Sequence, residues 1–252
     1  MKKMIFEIDG QVVSKEKIDE WELGRLEKEY KFLKKHGFKF SQKFSSYLES
    51  KDVDNARSEL GKLKSAYHPE TFRKLLKRKY TIGNSASKIA AMLSRGRKYS
   101  ITEFVIPNSK KTPEEVMSSI EKIMLENTDE HLYMNLATNP DHFVLISTSK
   151  NVQEVVEITG GSPLPNRFFA HYGDETGLTS TLGEGFTVQA AGAAKLEDGT
   201  VIGGVRHQIK KEGNGLRFRA LVEFPSILPN YMIKKHQYHL ACEFRQWLDY
   251  TV

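Results

Sequence analysis

The chain has 252 residues, enough for one large domain or two modest ones, and its 39% hydrophobic and 28% charged residues exclude a disordered chain. No apolar run approaches the ~20 residues that span a bilayer, and Cys242, the only cysteine, excludes an internal disulfide, so a cytoplasmic protein without a membrane partner is expected. The net charge of +6 is uneven: residues 1–100 hold 24 Lys and Arg against 13 Asp and Glu, whereas residues 101–252 hold 14 against 19.

The opening MKKMIFEIDGQ has two lysines but no apolar signal-peptide core, which argues against secretion. Met4–Val13 predicts a short hairpin turning at Asp9-Gly10. From about Lys15 to Leu93 the pattern is helical. Trp21, Leu23, Leu26, Tyr30, Phe32 and Leu33 recur at three- and four-residue spacing, and Gly37 supplies a stop. Further helices are expected at roughly 41–50, 53–66, 69–79 and 85–95, with Gly83-Asn84-Ser85 and Gly96 read as turns. The densest basic stretch, Arg73–Tyr80 followed by Arg95–Lys98, carries no nucleic-acid motif. Lysine-rich helices that also hold Glu read as solvated faces, so nucleic acid is not expected as a partner.

The character changes near Tyr99. Ser100–Ile106 reads as a strand ending at Pro107. Thr112-Pro113-Glu114-Glu115 reads as a helix start, with Thr112 as cap, Pro113 in the first turn and Glu115 closing a capping box. Strands are expected at 130–136, 142–148, 151–158, 165–172, 186–196, 200–211 and 215–224, with hairpin turns at Asp198-Gly199 and Asn214-Gly215. Pro225 and Pro229 introduce a last helix, with Asn230 as its cap. The expected architecture is α+β. A mainly α-helical region, 1–98, precedes a helix-grip domain of the START/Bet v 1-like kind, 99–252. There a curved antiparallel sheet wraps a long C-terminal helix and leaves a ligand cavity between them.

Chemistry concentrates on that helix. At 100° per residue, His239 and Glu243 lie on or beside the arc holding Met232, Ile233, His236, Leu240, Phe244 and Trp247. A carboxylate there needs a partner. His and Glu four residues apart can hold one metal ion together, with a plain salt bridge as the alternative. His142 ends the turn Asn139-Pro140-Asp141-His142 and is placed to enter the cup. Glu157, between Val156 and Ile158, faces the opposite side from both; an exposed strand residue is its bland reading. Two His and two Glu suit Zn²⁺, with Mn²⁺ or Fe²⁺ as alternatives. His207, beside Arg206, is a candidate acid/base group or an ordinary half-exposed strand histidine. His171, Tyr172, Asp174 and Glu175 either line the pocket, with His171 or Glu175 as replacement ligands, or form an Asp-based turn. Cys242 lacks a base partner and reads as packed.

Taken in order, these segments resemble the 2,4-diacetylphloroglucinol hydrolase and phloretin hydrolase family of metal-dependent carbon–carbon bond hydrolases. The resemblance is carried by SITEFVIPNSKKTPEEV, by Tyr133 with the NPDH ending at His142, by EITGG from Glu157 to Gly161, by RHQIKK at His207, and by HLACEF with His239 and Glu243. It covers residues 100 to 248; VMSSIEKIM stands where the family's helix is rich in tryptophan. It implies a helix-grip fold, zinc held by His142, Glu157, His239 and Glu243, and hydrolysis of a carbon–carbon bond beside an aryl ketone. On that reading Tyr133 and His207 position the substrate's oxygens and shuttle protons. Phe168, Phe169, His171 and Trp247 contact the aromatic ketone substrate. Two competing expectations are a non-catalytic carrier or sensor of a hydrophobic small molecule, and a nucleic-acid contact through the basic half. The sequence does not decide between a monomer and a homo-oligomer.

Overall fold

In the computed structural model, which describes residues 4–252, the chain opens with a hairpin of Ile5–Ile8 (β1) and Gln11–Val13 (β2). Asp9 and Gly10 both take positive φ at its turn, as a two-residue hairpin loop requires. Lys2 and Lys3 of the opening stretch lie outside the described residues. Four helices follow: Lys15–Lys35 (α1), Gln42–Glu49 (α2), Val53–Ser65 (α3) and Pro69–Leu93 (α4). The turn expected at Gly83-Asn84-Ser85 is not there, because α4 runs straight through it. Gly83 serves close packing instead of a bend. A Cβ at that position would lie 2.2 Å from the carbonyl oxygen of Pro165, so only glycine lets the helix approach the chain there.

The second part comprises Arg97–Ile106 (β3), Pro113–Leu125 (α5), Asp129–Ala137 (α6), His142–Ser149 (β4), Val152–Glu157 (β5), a 3-10 turn at Thr159–Gly161, Asn166–Tyr172 (β6), Val188–Lys195 (β7), Val201–Glu212 (β8), Gly215–Pro225 (β9) and Asn230–Thr251 (α7). The Thr112 and Glu115 capping box forms at α5. The strand expected at 130–136 is helix α6. The hydroxyl of Thr128 accepts from the His131 amide, and Asp129 and Glu130 occupy the first turn, where acidic groups suit the helix dipole. Asn230 is the first residue of α7 and not its cap; Pro229 holds the cap position.

The nine strands form one antiparallel open sheet in the order β2-β1-β3-β9-β8-β7-β6-β5-β4. β4 to β9 meander between neighbours, while β3 pairs with β9 from Arg97 opposite Pro225 to Ile106 opposite Leu216. The N-terminal hairpin therefore shares a sheet with the strands from Arg97 onward. α5 and α6 carry the chain from β3 to the far edge at β4, and α7 packs on β3, β9 and α5.

Two apolar cores result. Phe104, Ile120, Phe218, Leu240, Phe244 and Trp247 fill the space between the sheet and α5 and α7. Leu26, Leu33, Phe44 and Phe72 of the N-terminal helices pack on Phe143, Val144 and Val156. Each such buried side chain contributes about 1.5–3 kcal/mol. The first helix is also tied to the last by charge: buried Glu22 of α1 accepts from Arg57 of α3 and from Arg245 of α7.

The free edge of β4 is met by side chains. The Asn127 amide exchanges both hydrogen bonds with the backbone of Ser147 (2.8 and 2.7 Å), Asn135 Nδ2 donates to Leu145 O, and Lys64 Nζ donates to His142 O at 2.6 Å. Among the described residues no helix is long and apolar enough to cross a membrane.

Candidate metal centre and ligand cavity

The turn before β4 builds the first side of the site. Asn139 Oδ1 accepts from the Asp141 amide at 2.9 Å, and its Nδ2 donates to His239 O of α7 at 3.1 Å. One side chain thus shapes the turn and ties it to the last helix. His142, the first residue of β4, is fully buried and stands opposite Glu157 in the β4–β5 register. Its Nδ1 lies 2.8 Å from Asn135 O. A carbonyl only accepts, so Nδ1 carries the proton and Nε2 keeps a free lone pair.

Glu157 closes β5, and its Oε1 accepts from Thr159 Oγ1 at 2.8 Å. The Gly-Gly step after it lets the chain touch α7. Gly160 has φ 57°, and a Cβ there would lie 2.7 Å from Met232 O. Glycine tolerates both demands.

His239 and Glu243 come from α7, one turn apart. The Nε2 atoms of His142 and His239 are 3.1 Å apart, and Glu157 Oε2 lies 3.5 Å from the first and 3.8 Å from the second. Glu243 Oε2 is 3.9 Å from His239 Nε2. Ligands at ~2.0–2.2 Å from a tetrahedral ion stand about 3.3–3.6 Å apart, and these separations straddle that range. Among the described residues two groups offer ligand atoms within 4.8 Å of one another: His142, His239 and Glu243, and also Glu157, His236 and His239.

The electrostatics fit a cation. Burial raises Glu157 above its ordinary value and pushes Glu243 up to about 8, with His239 only partly opposing it. Burial works to lower His239, yet Asp141, Glu157 and Glu243 hold it above its ordinary value. Burial, with His239 as a like charge, keeps His142 and His236 well below theirs and therefore neutral. Beside His239 as a single cation, both buried carboxyl groups ionise only at a cost, and a divalent ion would offset both charges.

Glu157, His236, His239 and Glu243, but not His142, form part of the wall of a cavity of about 360 Å³, a size suited to a small organic ligand. Phe168, Tyr172, His207, Leu240 and Trp247 line it with aliphatic groups of β5 and β8. His207 is buried, with its ring centroid 4.5 Å from that of Phe244; it is not half-exposed.

Other expected contacts do not reach the cavity. Strand alternation in β6 points Phe168, Ala170 and Tyr172 inward, whereas Phe169 and His171 are not among the lining residues. Arg167 lies over the Phe169 ring instead. Tyr133 sits on α6 with its hydroxyl 3.1 Å from Ser58 Oγ of α3, a placement that follows from 130–136 being helix. Asp174 pairs with Lys195 and Glu175 with Arg206, so neither carboxylate is offered to the cluster.

His236 was missed by the sequence reading as a ligand. Its ring stacks on His239 with centroids 5.0 Å apart, and its Nδ1 lies 3.0 Å from Ser100 Oγ. The spacing of His236, His239 and Glu243 over three and four residues is the signal that could have found it. Compared with known proteins, the chain matches no family model, and no curated protein sequence matches it.

Proposed function

We propose that the protein is a cytoplasmic, zinc-dependent hydrolase that cleaves a carbon–carbon bond next to the ketone of an acylphenol-like small molecule, on a helix-grip fold of the START type. The observation that supports this reading is the convergence of His142, Glu157, His239 and Glu243 beside a largely apolar cavity, the last three on its wall and His142 behind them. These four residues would hold the metal, with His236 beside them. A zinc ion bound there supplies Lewis-acid polarisation and an activated water.

The chain's own groups account for the rest. Phe168, Tyr172 and Trp247 line the cavity with aromatic side chains, which suits an aromatic ligand. His207, brought down to about 3 by burial, is a neutral imidazole at neutral pH. It serves as a hydrogen-bonding group toward a substrate oxygen and is too weak a base at that value to take up a proton. Residues of α4 and α7 wall the cavity and cover part of it, which limits the water beside a bound ligand.

Metal content of the purified protein, measured by plasma mass spectrometry beside Glu243→Gln and His239→Ala, tests the reading. Near-stoichiometric zinc in the parent, lost in both variants, followed by turnover of acylphenols, supports it. A parent that stays metal-free after incubation with zinc and dialysis overturns it. Zinc with tight ligand binding but no turnover points to a carrier or sensor.

A further inference from the structure

The C-terminal half of α4 has two dissimilar flanks. Gly83, Ala86, Ser87 and Ala90 line the cavity. On the neighbouring arc of about 100°, in chain order, stand Lys74, Arg78, Ile82, Ser85, Ile89, Met92 and Leu93. The four large apolar residues of that arc are 57–73% exposed. The loop before α7 extends this surface. The Ser226 amide donates to Gly96 O and the Ile227 amide to Ser94 Oγ, tying the loop to the end of α4. This loop and the start of α7 leave Ile227 and Tyr231 about half exposed.

The patch borders the cavity's opening, because Ala86, Pro163 and Tyr231 both line the cavity and are exposed. A contiguous apolar rim of this kind marks an interaction surface.

Charge identifies the partner. Residues 71–98 hold nine Lys and Arg and no Asp or Glu. Lys74, Lys77 and Arg78 on α4, Arg95 after it, and Lys234 and Lys235 on α7 are exposed. We propose that the outer flank of α4 and the 226–231 loop dock on an anionic lipid surface, with the cavity mouth turned toward the bilayer.

An anionic interface takes aliphatic side chains below the headgroups and cations among them. Tyr231, with Lys235 Nζ 5.5 Å from its ring centre, has the amphipathic character of a headgroup-level residue. A second copy fits less well, since residues 71–98 hold no Asp or Glu and an isologous contact through this arc brings together two surfaces of the same charge. Nucleic acid fits the charge but not the aliphatic stripe, which offers no ring for base stacking. The contact is peripheral, so it does not need a membrane-spanning run. It is also independent of the reaction proposed above.

The test mixes the full chain with phosphatidylcholine vesicles, with or without phosphatidylglycerol, at low and high salt, and reads capture by flotation. Expected is capture by the phosphatidylglycerol vesicles alone, weakened by salt. Ile89→Glu with Met92→Glu, both at exposed positions, lowers partition about tenfold while the circular dichroism spectrum is kept, and Lys74→Glu with Arg78→Glu does the same. Absence of capture by anionic vesicles overturns the proposal, as does capture that the Ile89 and Met92 substitutions leave unchanged. A dimer in sedimentation, or a nucleic-acid mobility shift, that the same substitutions abolish while vesicle capture is absent also overturns it and names the other occupant.

Discussion

Arg25 of α1 and Asp141 of the turn before β4 form a buried ion pair across 116 positions of sequence, with Arg25 Nε 2.8 and 2.9 Å from the two carboxylate oxygens. Burial acts to raise Asp141, but His239 and Arg25 hold it below its ordinary value. Its Oδ2 stands 3.9 Å from Nδ1 of His239. The first helix thus holds a carboxylate on the Nδ1 side of one candidate ligand, the side from which carboxylates support histidine at metal centres, although Nδ1 makes no hydrogen bond here. Asp141→Asn is expected to weaken zinc affinity about 10–100-fold, measured by competition with a chelator. Unchanged affinity in a folded variant would remove Asp141 from the site's support.

Glu22 serves two guanidinium groups at once. Glu22→Gln leaves Arg57 and Arg245 facing a neutral amide in a buried setting. Removing one partner of a buried pair typically costs about 3–5 kcal/mol, so the urea midpoint should fall markedly. A loss within experimental error would mean that Asp19 and Asp54, which also pair with these arginines, suffice.

Gly83→Ala separates two opposite expectations. In an open helix the change stabilises by about 1 kcal/mol. Here the new Cβ would meet Pro165 O at 2.2 Å, a backbone atom with little freedom to yield. The variant should therefore lose about 1–3 kcal/mol, and a raised melting temperature would show that α4 does not rest on Pro165.

His207 makes stability depend on pH. Burial lowers it from 6.5 to about 3, so between these values the unfolded chain binds a proton that the folded chain does not. Stability therefore rises with pH across that window and falls as the solution is acidified, by about 1.4 kcal/mol per pH unit at most. His142 and His236, also held well below their ordinary values by burial, act with the same sign. His207→Gln should narrow the gap between urea curves at about pH 5 and about pH 7. An unaltered gap would show that His207 titrates alike in both states.

Local chemistry was legible where it decided the outcome alone. The Asp9-Gly10 turn, the Thr112 box and the alternation that turns Glu157 away from Val156 all act within a few residues. The misreadings at Gly83 and at 130–136 have a different origin. Gly83 looked like a breaker because Pro165 is distant in sequence. Residues 130–136 looked like a strand because their apolar spacing was short and ambiguous, and the Thr128 cap decided for helix. His239 and Glu243 were visible from one helix, and His236 shares their spacing, but its contact with Ser100 and the place of Asp141 needed the fold. Their partners come from β3, α1 and α7.

The side chains lying along β4 also bear on how molecules of this chain meet one another. A terminal strand with vacant amides and carbonyls is a template onto which another strand can add, the first step toward fibrils. Asn127 imitates such a strand at Ser147, and Asn135 and Lys64 occupy the carbonyls of Leu145 and His142. At the opposite margin β2 is only three residues long. A broad sheet thus ends in one margin already taken and another too brief to recruit, which leaves this protein few backbone groups with which to polymerise.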